Sequence, residues 1–273
     1  MIYYRDWKDA IRSDFAGKYW RWAHLCVNLS KYPDQEQDLI DSSIIRIVPV
    51  ISIKSVCHKI LEWLFESIRD GKTVRMKRLH IYNRTLHVAP DIVAEAVMKL
   101  ETLTAYLSST QVKAILTRLA TTENSKLNKL TVFNFFHFNT MDPEVLAIAL
   151  IKLKSVGMDL SSSLSPNQLT VLFYRIKDSE NLILRNLDMI NVNISIVPPE
   201  VLLGAIQRLR EVHFIRGRMT EEQATAIITL AKERRLGRIK LIRFSNVVGM
   251  SSVSSSLLQE AKFNNQYKLL WIV

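Results

Sequence analysis

One pattern of apolar and variable positions recurs four times between residues 76 and 246: apolar, two variable, apolar, one variable, apolar, one variable, Asn. It reads Met76, Leu79, Ile81, Asn83; then Leu127, Leu130, Val132, Asn134; then Leu184, Leu187, Met189, Asn191; and finally Ile239, Ile242, Phe244, Asn246. Between these copies the apolar triad returns without the Asn, as Leu100, Leu103, Ala105; Leu153, Val156, Met158; and Leu209, Val212, Phe214. Successive units therefore start 24, 27, 26, 31, 25 and 30 residues apart. Periods of this size predict a solenoid of supersecondary units, each too small to bury its own apolar face, so that neighbours must stack. Trp22, Leu25 and Val27, then Ile47 and Val50, extend the register upstream, and Tyr267, Leu270 and Ile272 extend it downstream. The repeats then cover residues 22–273, most clearly marked over 76–246, with residues 1–21 as a separate N-terminal cap.

Within each unit the alternating apolar positions belong on a short strand, where they share one face. The Asn that follows is expected to bond backbone groups left unpaired as the chain turns out of the strand. Helix signals come next. Asp142-Pro143-Glu144 places an N-cap, a first-turn proline and an acid in order, and Ser165-Pro166 does likewise. Thr220-Glu221-Glu222-Gln223 reads as a capping box. Apolar spacing then becomes helical, as in Val145, Leu146, Ala149, Leu150 and Leu153, and in Val201, Leu202, Ala205, Ile206 and Leu209. The expected fold is α/β, a curved parallel sheet on the concave side with helices on the convex side.

These residues resemble the leucine-rich repeat, L-x-x-L-x-L-x-x-N, in the ribonuclease-inhibitor-like form that alternates two unit lengths. The Asn stands one position earlier than in the commonest consensus, and alternate units lack it. Residues 5–29, with Arg5-x-Trp7 and Trp20-Arg-Trp22, look like the last helix of an F-box leading into a first repeat. The resemblance implies a substrate receptor of a cullin-RING ubiquitin ligase, in which the F-box docks on an adaptor subunit and the repeats hold the substrate. The Leu-Pro-x-Glu opening and first two helices of an F-box do not precede Met1, so adaptor docking is not carried over. Trp7, Trp20 and Trp22 also suit a lid on the open end of the repeat stack. The expectation is a gene fragment at both ends.

Composition narrows the chemistry. No run approaches the roughly 20 apolar residues of a membrane span, and Met1 to Asp9 lacks the apolar core of a secretory signal. Cys26 and Cys57 stand alone, which argues against a disulfide scaffold or a structural zinc and for the cytoplasm or nucleus. Cys57, in the apolar stretch from Val56 to Leu64, is expected to be buried. The glycines are never clustered into a phosphate-cradling loop, and no HExxH, GxSxG or kinase signature occurs. No catalytic residue, metal ligand or cofactor site is assigned. The sequons at Asn28, Asn83 and Asn193 are read as coincidental.

What remains is recognition. In a solenoid the variable strand positions line the concave face. Here they supply Lys77, Arg78, His80, Tyr82, Lys129, Phe133, Arg185, Asp188, His213, Lys240 and Arg243 as the expected partner-binding set. Arg and rigid aromatics dominate interface energies, and Arg grips carboxylate or phosphate with two parallel bonds. A protein partner, acidic or phosphorylated, is therefore expected. The net charge of +11 and a basic C-terminal end, from Ala231 onward, also admit a basic scaffold that associates with nucleic acid or acidic surfaces. The same charges also serve simply to keep an exposed sheet soluble.

Overall fold

The repeat's apolar triads become the buried rungs of parallel strands. The computed structural model describes residues 2–3, 24–28, 48–55, 58–73, 75–82, 86–132, 140–157, 164–233, 235, 237–264 and 270–272. It divides into two units, Met1–Asn134 and Phe135–Val273.

In the first unit the order is β1 (Ile2–Tyr3), β2 (His24–Asn28), β3 (Val50–Ser55), α1 (His58–Arg69), β4 (Arg78–Ile81), α2 (Pro90–Val97), β5 (Thr102–Ala105), α3 (Ser109–Thr121) and β6 (Lys129–Val132). Each strand pairs in parallel with the next in the chain. Ile51, Leu79, Leu103 and Leu130 stand in one register row and are at most 1% accessible. The second unit repeats the scheme with α4 (Pro143–Ile151), β7 (Ser155–Gly157), α5 (Pro166–Asp178), β8 (Asn186–Ile190), α6 (Pro199–Ile206), β9 (Glu211–Ile215), α7 (Glu221–Lys232), β10 (Leu241–Ser245), α8 (Ser255–Asn264) and β11 (Leu270–Ile272). Its strands also pair in parallel, each with the next. Val156, Leu187, Val212 and Ile242 form the buried row, and Phe214 stacks on Phe244 at 5.3 Å in the neighbouring one. In both units helices pack on their sequence neighbours, as expected where each repeat buries its face against the next.

The register of β3 differs from expectation. Val48, Ile51 and Ile53 are the buried residues, while Val50 is only half-buried. The triad thus lies one residue later than Ile47 and Val50 suggest. At the flanks, Leu25 pairs with Ile51 and Ile242 with Leu270, which places both outer strands in the expected rows. Trp7, Trp20, Trp22, Cys57, Asn83, Phe133, Asn134, Met158 and Tyr267 lie outside the described residues.

At Asn191 and Asn246, the two described residues of the four, the turn gives the Asn a conformational task rather than a side-chain bond to backbone. Asn191 and Asn246 take φ of 53° and 51°, each one residue beyond its strand. That left-handed region is disfavoured for most L-residues and tolerated by Asn. Arg216 occupies the equivalent place in the unit without Asn, at φ 51°. Beyond the turn the coils touch again through single parallel bridges, Asn193 to Arg218 and Arg218 to Val248. The approach is close enough to demand glycine: a Cβ on Gly217 would lie 2.8 Å from the Val192 carbonyl oxygen, and one on Gly249 2.3 Å from that of Met219.

Two kinds of helix alternate. α2, α4 and α6 are short (8, 9 and 8 residues) and begin with Pro90, Pro143 and Pro199, each followed by an acid. Asp142 Oδ1 caps α4 by accepting from the Glu144 and Val145 amides. α3, α5 and α7 are longer (13, 13 and 12 residues), and each starts with a reciprocal capping box: Ser108 with Gln111, Ser165 with Gln168, Thr220 with Gln223. Those three glutamines are at most 2% accessible. Each turns its amide NH2 back to the loop before the preceding short helix. Gln111 Nε2 donates to the Leu86 and Val88 carbonyls, Gln168 Nε2 to Met141, and Gln223 Nε2 to Ile194 and Val197. A buried amide is tolerable because these bonds satisfy it.

Candidate interaction face

In β4, β6, β8, β9 and β10 buried positions alternate with half-buried or exposed ones, as in β4 (Arg78 exposed, Leu79 buried, His80 intermediate, Ile81 buried), so these strands leave one face open. Parallel sheets are usually covered on both faces, so an open one must carry side chains that tolerate water.

In the first unit the open face presents Arg78, Thr102 and Lys129 in one row, and Ser52, His80, Thr104 and Thr131 in the next. Thr102 separates the two cations, and Ser52 and Thr104 are buried. Tyr82, just past β4, is 44% accessible. Lys77 lies at the rim, one residue before the strand, and not on the face. Its Nζ pairs with Glu101 Oε1 at 2.9 Å, so its charge is already answered.

In the second unit the expected residues converge. Asp188, His213 and Arg243 are successive neighbours in one register row. Asp188 Oδ1 lies 2.8 Å from His213 Nδ1. That contact fixes the ring's orientation and places the Nδ1 proton between the two groups. His213 Nε2 and Asn186 Oδ1 are buried and have no hydrogen-bond partner among the described residues. Unsatisfied polar atoms of this kind mark a place where a donor or acceptor from outside would be gained rather than merely exchanged.

Arg185 and Lys240 lie at the rim, as Lys77 does, and there they join Lys154 and Arg210. The Arg185 amide donates to the Lys154 carbonyl (2.9 Å), the Arg210 amide to Arg185 (2.7 Å) and the Lys240 amide to Arg210 (2.7 Å). Lys154, Arg185, Arg210 and Lys240 thus form one column along the strands' N-terminal ends, all exposed. A signal was available: each is the residue after the first apolar position of its unit.

Among the described residues no group of three or more His, Cys, Asp or Glu could hold a metal ion, and no helix is long and apolar enough to cross a membrane. No protein-family model matches the chain, and comparison with curated proteins finds no relative.

Proposed function

We propose that the chain is a leucine-rich-repeat solenoid whose open sheet, lining the concave side of the stack, recognises a protein partner without catalysis. The single observation that carries this reading is the second unit's row of Asp188, His213 and Arg243, in register on an uncovered sheet with two unsatisfied buried polar atoms beside it. A sheet that only needed solubility would favour flexible, fully hydrated side chains there. The two-unit alternation of helices and the Asn turns agree with the ribonuclease-inhibitor-like form. The likeness of residues 5–29 to the end of an F-box supports a substrate receptor of a ubiquitin ligase, or a descendant of one. The partner is acidic or phosphorylated, because Arg185, Lys240 and Arg243 would supply the grip.

The test reverses charge at Arg185 and Arg243 together. Affinity purification with mass spectrometry from cells should recover a partner with the parent chain and lose it with the double variant, while the circular dichroism of the two chains stays the same. Unaltered capture would remove this footprint. Steep loss of all binding with salt, linear in log concentration, would instead favour nucleic acid.

A further inference from the structure

We infer that Lys154, Arg185, Arg210 and Lys240 form a cationic rim that grips the acidic stripe of a helix on the protein partner. This rests on the reading of the open sheet as a protein-recognition surface and names the chemistry of what is recognised.

The first unit provides an internal control. Its rim has the same backbone geometry: the Lys77 amide donates to Pro49, that of Glu101 to Lys77 and that of Asn128 to Glu101, at 2.8, 2.7 and 2.9 Å. There the column reads Pro49, Lys77, Glu101, Asn128, with one cation and its neighbouring acid in an ion pair. In the second unit the same four places are all cations, and among the described residues no ion pair engages Lys154, Arg185 or Lys240. Arg210 has only Glu211 Oε1, at 4.0 Å. Like charges on adjacent strands repel, so the column is unfavourable in the free protein and favourable once an anion array lies along it.

Spacing and neighbouring charge select the partner. Adjacent strands lie about 4.8 Å apart, so four cations span roughly 14 Å. One helical turn rises about 5.4 Å, so carboxylates at i, i+3, i+7 and i+10 span about 15 Å and meet the rim one for one. An extended peptide offers same-side groups only about every 6.7 Å and drifts out of step. Glu211 and Asp188, on the face next to the rim, would repel a uniformly anionic strand but accept the basic residues of a mixed-charge helix.

The experiment uses the full chain and three labelled probes in fluorescence anisotropy. One is a helical peptide with Glu at i, i+3, i+7 and i+10. The second has the same composition with those Glu residues spread around the helix, and the third is a single-stranded homopolymer oligonucleotide. The striped peptide should bind about tenfold more tightly than the scattered one. Arg185→Glu with Arg210→Glu should erase that preference, and Arg185→Gln with Arg210→Gln, which keeps long polar side chains, should weaken it in the same direction. Equal affinity for both peptides, no peptide binding, or indifference to the rim variants would overturn the proposal. So would tighter, rim-dependent binding of the oligonucleotide, which would assign the rim to nucleic acid. If the rim fails here while Arg243→Glu alone abolishes capture of the cellular partner, the open-face reading stands and only the helix-stripe assignment falls.

Discussion

Replacing Gln223 with Met tests whether the buried glutamines hold successive coils together. Gln223 is 0% accessible and makes three bonds through its amide: Oε1 accepts from the Thr220 amide at 2.9 Å, and Nε2 donates to Ile194 (2.9 Å) and Val197 (2.6 Å). Methionine fills nearly the same space, so no large cavity confuses the result. The Ile194 carbonyl keeps a second donor, the Val197 amide at 3.0 Å, and suffers least. The Thr220 amide and the Val197 carbonyl lose the bonds recorded for them. At about 1–3 kcal/mol for each orphaned buried group, less the gain from burying an apolar side chain, the substitution should cost about 3 kcal/mol. Urea unfolding followed by circular dichroism measures the total. Amide hydrogen exchange at Thr220 should show lost protection before the rest of α7. Glu222→Ala, one residue away and exposed, should stay within about 0.5 kcal/mol of the parent. A Gln223→Met chain as stable as the parent would refute the idea that this amide joins the coils.

Two further substitutions probe the turns. Arg216→Asn puts at φ 51° the residue its sister turns already use, and should stabilise the chain by about 1 kcal/mol in the same unfolding assay; no gain would mean that the turn is held by something other than local preference. Gly217→Ala should cost about 2 kcal/mol or more because its Cβ meets the Val192 carbonyl, whereas Gly71→Ala, at φ +76° with only Lys99 Nζ at 3.9 Å, should cost only about 1 kcal/mol. Equal losses would separate stability from coil-to-coil approach.

The ladder was readable because Leu79, Leu130 and Leu187 each stand between two polar neighbours in an apolar alternation. Around Ile44 to Ile53 that contrast fails: apolar residues occupy both parities, and a one-residue slip, which exchanges the two faces, costs the pattern almost nothing. The pairing of Ile51 with Leu25 and Leu79 and the burial of Ile51 and Ile53 resolve it. The meeting of Asp188, His213 and Arg243 was half legible. Their shared position in the unit put them on one side, but the 2.8 Å contact and the buried Nε2 depend on packing. The rim was hidden for a different reason: strand alternation sorts residues by face, and a residue one step before the strand belongs to neither. Of the glutamines only Gln223 stood in a capping box read from the sequence, and the second half of each amide's bonding lies 23 to 29 residues away in the chain.

Those amide bonds also decide how a chain of this design can lengthen or shorten. Each glutamine belongs to a long-helix coil and needs the carbonyls of the short-helix coil before it. Deleting or duplicating a single coil leaves one amide with no acceptors, or one loop with no donor, in a dry interior. Adding or removing a couple of coils, about 55 residues by the Gln168 to Gln223 interval, leaves every such bond intact. Length variants of such a chain that stay folded should therefore differ by whole pairs of coils.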